Sequence, residues 1–246
     1  MTRNALFPIR ATMPLDDTLT PDRANSKKVT SDQEGPHPNL LKVAMRHREH
    51  VFEKPISEHS RKAFAQTAEI VRQRTQPLIL DAGCGTGDST RRLAVCYPEH
   101  LVIGVDKSAH RLSRQDRGPL PPNALLIRAD LVDFYRLAFA GGWQLAHHFI
   151  LYPNPWPKSA HLKRRWHGSP VFPQMLALGG RIELRTNWQI YAKEFRRALT
   201  AFGAEADCDV FRPEENDYLT LFERKYHLTG QPLYRLNAQL TGRQQT

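Results

Sequence analysis

Apolar and polar positions in the middle of this chain fall into blocks that switch between two periods. Short apolar runs at Leu78–Asp81, Leu101–Val105, Ala124–Arg128, Leu145–Leu151 and Arg181–Arg185 are each bounded by Gly, Pro or an acidic residue, which predicts strands. Between them the apolar spacing becomes helical. Phe64, Ala68 and Val71 mark a helix over 57–74, and Asp88 or Ser89 caps one running to Val95. A helix at Ser108–Gln115 is broken by Gly118–Pro122, and one near Pro170–Leu178 is stopped by Gly179-Gly180. Tyr191, Phe195, Ala198, Leu199 and Phe202 line one side of a helix over 188–202, and extended segments at 218–227 and 232–238 close the chain. Strands alternating with helices predict an α/β fold with a doubly wound, mostly parallel seven-stranded sheet and an antiparallel C-terminal hairpin edge.

Residues 1–40 are rich in Pro, Asp, Ser and Asn with little periodicity and are expected to form a disordered tail. Residues 41–53 read as a basic connection containing Arg46, His47 and Arg48. Beyond it there is one compositional regime, so 41–246 is expected to be one domain.

Charge narrows the function. The formal net charge is +10, which suits a polyanionic partner. No Asp or Glu occurs from Phe134 to Ile182, while Arg136, Lys158, Lys163, Arg164, Arg165 and Arg181 do. Cys84, Cys96 and Cys208 have no paired spacing, and the N-terminus lacks an apolar signal segment; both are expected of a cytoplasmic protein. No run reaches the ~20 apolar residues of a membrane span. Neither His147-His148 nor His161 with His167 has a partner set for zinc, so no metal is expected.

Asp81-Ala-Gly-Cys-Gly-Thr-Gly87 joins a predicted strand to a predicted helix. Glycines there let the backbone turn tightly and approach a ligand. Gly83, Gly85 and Gly87 are spaced two and two, unlike the G-x-G-x-x-G of dinucleotide folds. About twenty residues on, Asp106 ends the second strand, where a carboxylate accepts both hydroxyls of a ribose. Asp130 follows the third strand, within reach of an adenine edge, and Asp81 stands where an amino or sulfonium group would lie. Adenine, ribose and a cationic amino-acid tail without phosphate describe S-adenosylmethionine (SAM).

The segment Tyr152-Pro-Asn-Pro-Trp-Pro-Lys158 follows the fourth strand. Its three prolines exclude helix or inner strand, leaving a stiff loop that presents an amide, an indole and a basic cluster. D-x-G-x-G-x-G with the strand-end Asp106 resembles the class I SAM-dependent methyltransferases over about residues 78–240. The Pro-rich loop with Lys163-Arg164-Arg165, Arg185-Thr-Asn-Trp188 and Thr220-Leu-Phe-Glu-Arg224 resembles the bacterial tRNA (guanine-N7)-methyltransferases. That resemblance implies a Rossmann-like fold and methyl transfer to N7 of a guanine in tRNA. It also implies SAM contacts from Asp81, Asp106 and Asp130, and substrate contacts from Lys158, Thr220 and Glu223. Trp156, Lys163, Arg164 and Arg165 join the substrate side as stacking and phosphate-contacting residues, in a monomer or homodimer.

Three positions depart from the family pattern: Asn154 and Asn187 stand where it has aspartates, and Leu221 where it has lysine. An amide offers one acceptor oxygen to guanine's two edge donors, where a carboxylate offers two. Asn154 is the catalytic candidate and Asn187 a second substrate contact. Asn154-Pro155-Trp156 is also similar to the N-P-P-aromatic motif of amino-methyltransferases acting on nucleic acid, and a non-catalytic RNA-binding relative is the alternative from another class.

Overall fold

The computed structural model describes residues 26–114, 118–215 and 217–242. Seven strands form one sheet: β1 (Leu78–Ala82), β2 (Leu101–Asp106), β3 (Ala124–Arg128), β4 (Leu145–Leu151), β5 (Gly180–Thr186), β6 (Ala206–Phe211) and β7 (Leu233–Leu240). Their order is β3-β2-β1-β4-β5-β7-β6. β1 to β5 pair in parallel, and β7 runs antiparallel to both β5 and β6. The doubly wound sheet with its antiparallel edge is therefore present, and it changes direction between β1 and β4.

Alternation along the strands divides the core. Leu78, Leu80 and Ala82 of β1 join Leu101, Ile103 and Val105 of β2 on the larger face. This face is covered by α2 (Glu58–Arg72), α5 (Leu131–Ala140), α6 (Phe172–Ala177) and α7 (Gln189–Ala201), through residues such as Phe64, Phe134, Phe172 and Phe195, and α1 (Leu40–Glu49) packs on α6 and α7. Ile79 and Val102 point the other way, to Leu93 and Ala94 of α3 (Asp88–Cys96) and to Leu219. A short α4 (Ala109–Leu112) follows β2, and α8 (Leu221–Leu228) lies between β6 and β7.

Several expectations change. The basic connection at 41–53 is mostly α1, which buries Leu40 and Ala44 one turn apart and collects Arg46, His47 and Arg48 in its last turn, where cations suit the helix dipole. The segment expected to be extended at 218–227 is largely α8. Thr220 Oγ accepts from the Glu223 N–H at 3.0 Å while Glu223 Oε1 accepts from the Leu219 N–H at 3.1 Å, a reciprocal cap that starts a helix. The partner strand is instead β6, whose acids Asp207 and Asp209 lie on an exposed edge and hide the apolar alternation. α5 is an addition to the expected elements; Asp130 caps it, accepting from Val132 N–H at 2.8 Å. The expected disordered tail at 1–40 does not hold for 26–39, which hydrogen-bonds to the body of the protein, and 1–25 lie outside the described residues.

Gly180 opens β5 with φ of 77°, and a Cβ there would strike the Leu145 carbonyl oxygen of the adjoining strand. Gly180→Ala is expected to destabilise the fold by at least about 1–3 kcal/mol. A urea midpoint equal to that of the unmodified protein would contradict this packing.

Candidate functional site

In an open α/β sheet the ligand crevice lies beyond the carboxyl ends of the strands where the strand order reverses. Here β1 and β4 flank that point. The glycine loop leaves β1 and the Pro-rich loop leaves β4, so the fold sets side by side the two motifs that the sequence keeps about seventy residues apart.

On the β1 side, Gly83, Gly85 and Gly87 all take positive φ. Gly87 is the most confined: a Cβ would collide with Leu126 and the Arg91 guanidinium. Gly83 and Cys84 N–H groups donate to the Val105 carbonyl at 2.8 and 3.2 Å, pinning the loop to the end of β2. Asp106 is aimed by three donors. Oδ2 accepts from Gly85 N–H at 3.1 Å, and Oδ1 accepts from Ser108 N–H at 2.8 Å and pairs with the Arg111 guanidinium at 3.0 Å. Arg111 is exposed, and as a long side chain it is the one of the three free to move aside.

Asp81 is buried, and its Oδ2 accepts from the Ser89 and Thr90 hydroxyls at 2.6 and 2.7 Å, tying β1 to the start of α3. Burial pushes its carboxyl up to about 6 against the pull of those hydroxyls, and the negative Asp106 adds to the rise. Two acids crowded at the ends of adjacent strands favour a cation beside them. Asp130 is exposed, with Oδ1 engaged in capping α5.

On the β4 side the loop is bent at both ends, with Tyr152 at φ 50° and Trp156 at φ 47°. Non-glycine residues in that region cost of order 1–3 kcal/mol and persist where neighbours over-determine them. Asn154 Oδ1 accepts from Trp156 N–H at 3.3 Å, leaving the exposed amide group at the loop tip. The Arg164 guanidinium lies 4.7 Å from the Trp156 ring centroid and His161 meets that ring edge-on at 5.6 Å. Lys158, Lys163 and Arg164 are exposed together on this segment.

Arg165 is not part of that surface. It is fully buried and pairs with the equally buried Glu194 of α7 at 2.6 Å. Its Nη2 donates to the carbonyls of Trp156 and Lys158 at 3.0 and 3.1 Å and also meets Gln33 Oε1. It therefore clamps the loop from beneath, and its expected phosphate contact is withdrawn. Glu194 also accepts from His37 N–H at 2.7 Å and meets His167 Nε2 at 2.8 Å. Burial would raise the Glu194 carboxyl, but its His167, His37 and Arg165 partners hold it down at about 2. Burial lowers His167, against the opposing pull of the Glu194 carboxylate that its Nε2 meets. The sequence carried a signal for this centre: Glu194 falls on the apolar face shared by Tyr191, Phe195 and Ala198.

Glu223 was likewise expected to touch substrate and instead is fully buried in a second ion pair. Arg185 Nη1 reaches both its oxygens at 2.9 Å, and Tyr152 Oη donates to it at 2.9 Å. Arg185 also donates to Glu183 at 2.7 Å. The group joins β4, β5 and α8, with Thr220 capping the latter. Asn187, at the end of β5, donates through Nδ2 to Gln231 Oε1 at 2.8 Å.

A family model described as "Putative methyltransferase" matches residues 75–236. The tRNA (guanine-N(7)-)-methyltransferase of Thiobacillus denitrificans is 31% identical over 173 residues, 64% of this chain and 72% of that protein. The Pediococcus pentosaceus protein of the same name is 27% identical over 180 residues, 68% of this chain and 82% of its own length. The chain belongs to this methyltransferase family. Solved methyltransferases share the fold: the 16S rRNA methyltransferase KamB superposes with a TM-score of 0.55 at 20% identity, covering 77% of this chain and 98% of that one. A 16S rRNA (adenine(1408)-N(1))-methyltransferase from Catenulisporales acidiphilia, solved with SAM, superposes at 0.52 with 15% identity over 74% and 93% of the two chains. Within the family frame, the glycine loop, Asp106, Asn154, Trp156 and Asn187 share one end of the sheet, whereas Arg165 and Glu223 hold its loops from within.

Glu194 contributes its full stability above the ordinary carboxylate pKa of 4.5 and loses it as pH falls from there towards about 2. Glu194→Gln leaves a buried guanidinium without its counter-charge, a loss of roughly 3–5 kcal/mol. The variant is expected to unfold at lower urea, and its difference from the wild type should shrink as pH drops through that window. A difference independent of pH would remove the ionised pair from the account.

Proposed function

We propose that this chain transfers a methyl group from SAM to N7 of a guanine in tRNA. The observation that carries the reading is the pairing, across the β1/β4 reversal, of a carboxylate-ended glycine loop with a stiff aromatic and basic loop. The names of its relatives support guanine N7 and tRNA as the target.

SAM supplies an electrophilic methyl on a positively charged sulfur. The residues present fit it. Asp106, held by Gly85 and Ser108, offers its oxygens to ribose hydroxyls once Arg111 swings clear. The positive-φ glycines admit a close ligand, Asp130 stands exposed for the adenine edge, and the crowded Asp81 and Asp106 charges favour the cationic tail.

Guanine N7 carries a lone pair and no proton. Transfer to that lone pair would leave the positive charge on the purine and no proton to remove, so no general base is needed. The protein's task is alignment, which supplies much of the rate in such transfers. Asn154, at the tip of a loop fixed by prolines and by Arg165, is the group set to accept from the guanine edge, with Trp156 beside it for stacking. Lys158, Lys163 and Arg164 supply phosphate contacts. Free cysteines and a tRNA substrate support a cytoplasmic site of action; among the described residues no helix is long and apolar enough to cross a membrane.

Asp106→Ala removes acceptors whose hydrogen bonds are worth roughly 1.5–3 kcal/mol each. SAM affinity measured by calorimetry should fall at least tenfold, and unchanged binding by a folded variant would remove Asp106 from the cofactor site. Mass spectrometry of nucleosides after incubation with tRNA and SAM is expected to show N7-methylguanosine. N6-methyladenosine or N2-methylguanosine in its place would make this an amino-methyltransferase. Asn154→Asp keeps the acceptor for Trp156 N–H and adds a charge-assisted bond to the base. It should raise N7 turnover roughly tenfold; a fall would mean that the amide's own donors are in use.

A further inference from the structure

We propose that residues 26–33 form a fixed strap along one wall of the substrate site. Asn187 acts as its latch through Gln231, and Lys27 and Lys28 extend the surface that contacts tRNA phosphates. The proposal rests on the tRNA reading above and deepens it.

The strap is anchored at both ends. At the β5 end, Gln231 Nε2 donates to the Ser26 carbonyl at 3.0 Å, and Gln231 Oε1 accepts from Asn187 at 2.8 Å; Gln231 is buried. At the β4 end, Ser31 Oγ donates to the Pro157 carbonyl at 2.6 Å. The Asp32 carboxylate accepts from both the amide and the hydroxyl of Ser159 at 2.8 Å. Gln33 then joins the Arg165–Glu194 centre, donating to Glu194 at 3.2 Å, and Val29 packs on the main core. The strap thus runs from the end of β5 to the Pro-rich loop, across the side of the site that holds both Asn departures from the family pattern. Lys27 and Lys28 are exposed between the anchors, and Pro157 and Ser159, which hold the far end, flank the exposed Lys158.

This arrangement supplies a reason for an amide at 187. The Gln231 oxygen accepts from Asn187, and its amide nitrogen donates to the Ser26 carbonyl at 3.0 Å and to Thr229 Oγ1 at 3.4 Å, so both ends of the amide are committed. An aspartate at 187 would face Gln231 Oε1 acceptor to acceptor. Turning the Gln231 amide over would instead press Oε1 against the Ser26 carbonyl. Asn187 satisfies the chain of bonds from β5 to the strap, and the aspartate that the family pattern has there would break it.

The test uses the full-length protein with SAM and tRNA. In Asn187→Asp, hydrogen exchange at amides 26–30 should accelerate at least tenfold and tRNA should bind several-fold more weakly, with SAM affinity unchanged. In the Lys27→Ala/Lys28→Ala double variant, strap protection should remain while the slope of log affinity against log salt flattens by about 1.5. Higher methyl transfer by Asn187→Asp with an unchanged exchange pattern would overturn the latch and make residue 187 a base reader. An unchanged salt slope in the lysine variant would overturn the phosphate contact. If the wild type shows no salt-dependent tRNA binding, the tRNA reading itself fails, and the exchange comparison alone then decides the latch.

Discussion

One buried charge organises the substrate half of this protein. The Arg165 guanidinium has no exposed surface, and Glu194 is the carboxylate paired with it. Around this pair converge the carbonyls of Trp156 and Lys158, the amide of His37, the ring of His167 and the side chain of Gln33. Such a pair adds little to stability over a well-packed apolar substitute, because each ion loses its hydration. What it supplies is a unique geometry. Several distant chain segments must be in place before the charges are satisfied, so a loop with two aromatic residues at positive φ is held in one shape. The second pair, Arg185 with Glu223, repeats the device one strand further on and fixes α8 and the Tyr152 hydroxyl.

The cofactor half is built differently. Its geometry comes from backbone: glycines with positive φ, N–H groups turned onto the Val105 carbonyl, and a carboxylate aimed by main-chain donors. Backbone amides cost no side-chain entropy to order, which suits the site proposed for SAM. The tRNA proposed as substrate is instead a long polyanion, and the segment after β4 presents exposed Lys158, Lys163 and Arg164 above the buried Arg165–Glu194 pair. The exposed Arg111 is the one side chain among the three donors to Asp106.

Much of the fold was legible because period is a local property. Residues Leu78–Asp81, Leu101–Val105 and Leu145–Leu151 are apolar by themselves, and the helix carrying Tyr191, Phe195 and Leu199 announces its buried face. Three of the exceptions share one cause. β6 carries Asp207 and Asp209 on an exposed edge, α1 ends in basic residues, and α8 starts with a cap rather than an apolar stripe. In each, the solvated or capping residues outnumber the buried ones, so the pattern thins where the packing is one-sided.

Asp106, the glycines, Asn154 and Trp156 could be placed at strand ends from sequence alone, since a strand followed by a loop fixes which end faces the ligand. The sequence also determined the fold class and the family. Only the tertiary structure decided which charged residues meet solvent. Lys163, Arg164 and Arg165 are adjacent and alike in sequence, yet the third turns inward because Glu194, twenty-nine residues on, lies beneath it. Asn187 likewise reads as a lost carboxylate until its donor is seen to meet Gln231, whose own amide nitrogen holds the Ser26 carbonyl near the other end of the chain. A side chain's role depends on its partner, and partners distant in sequence are set by the packing of the whole sheet.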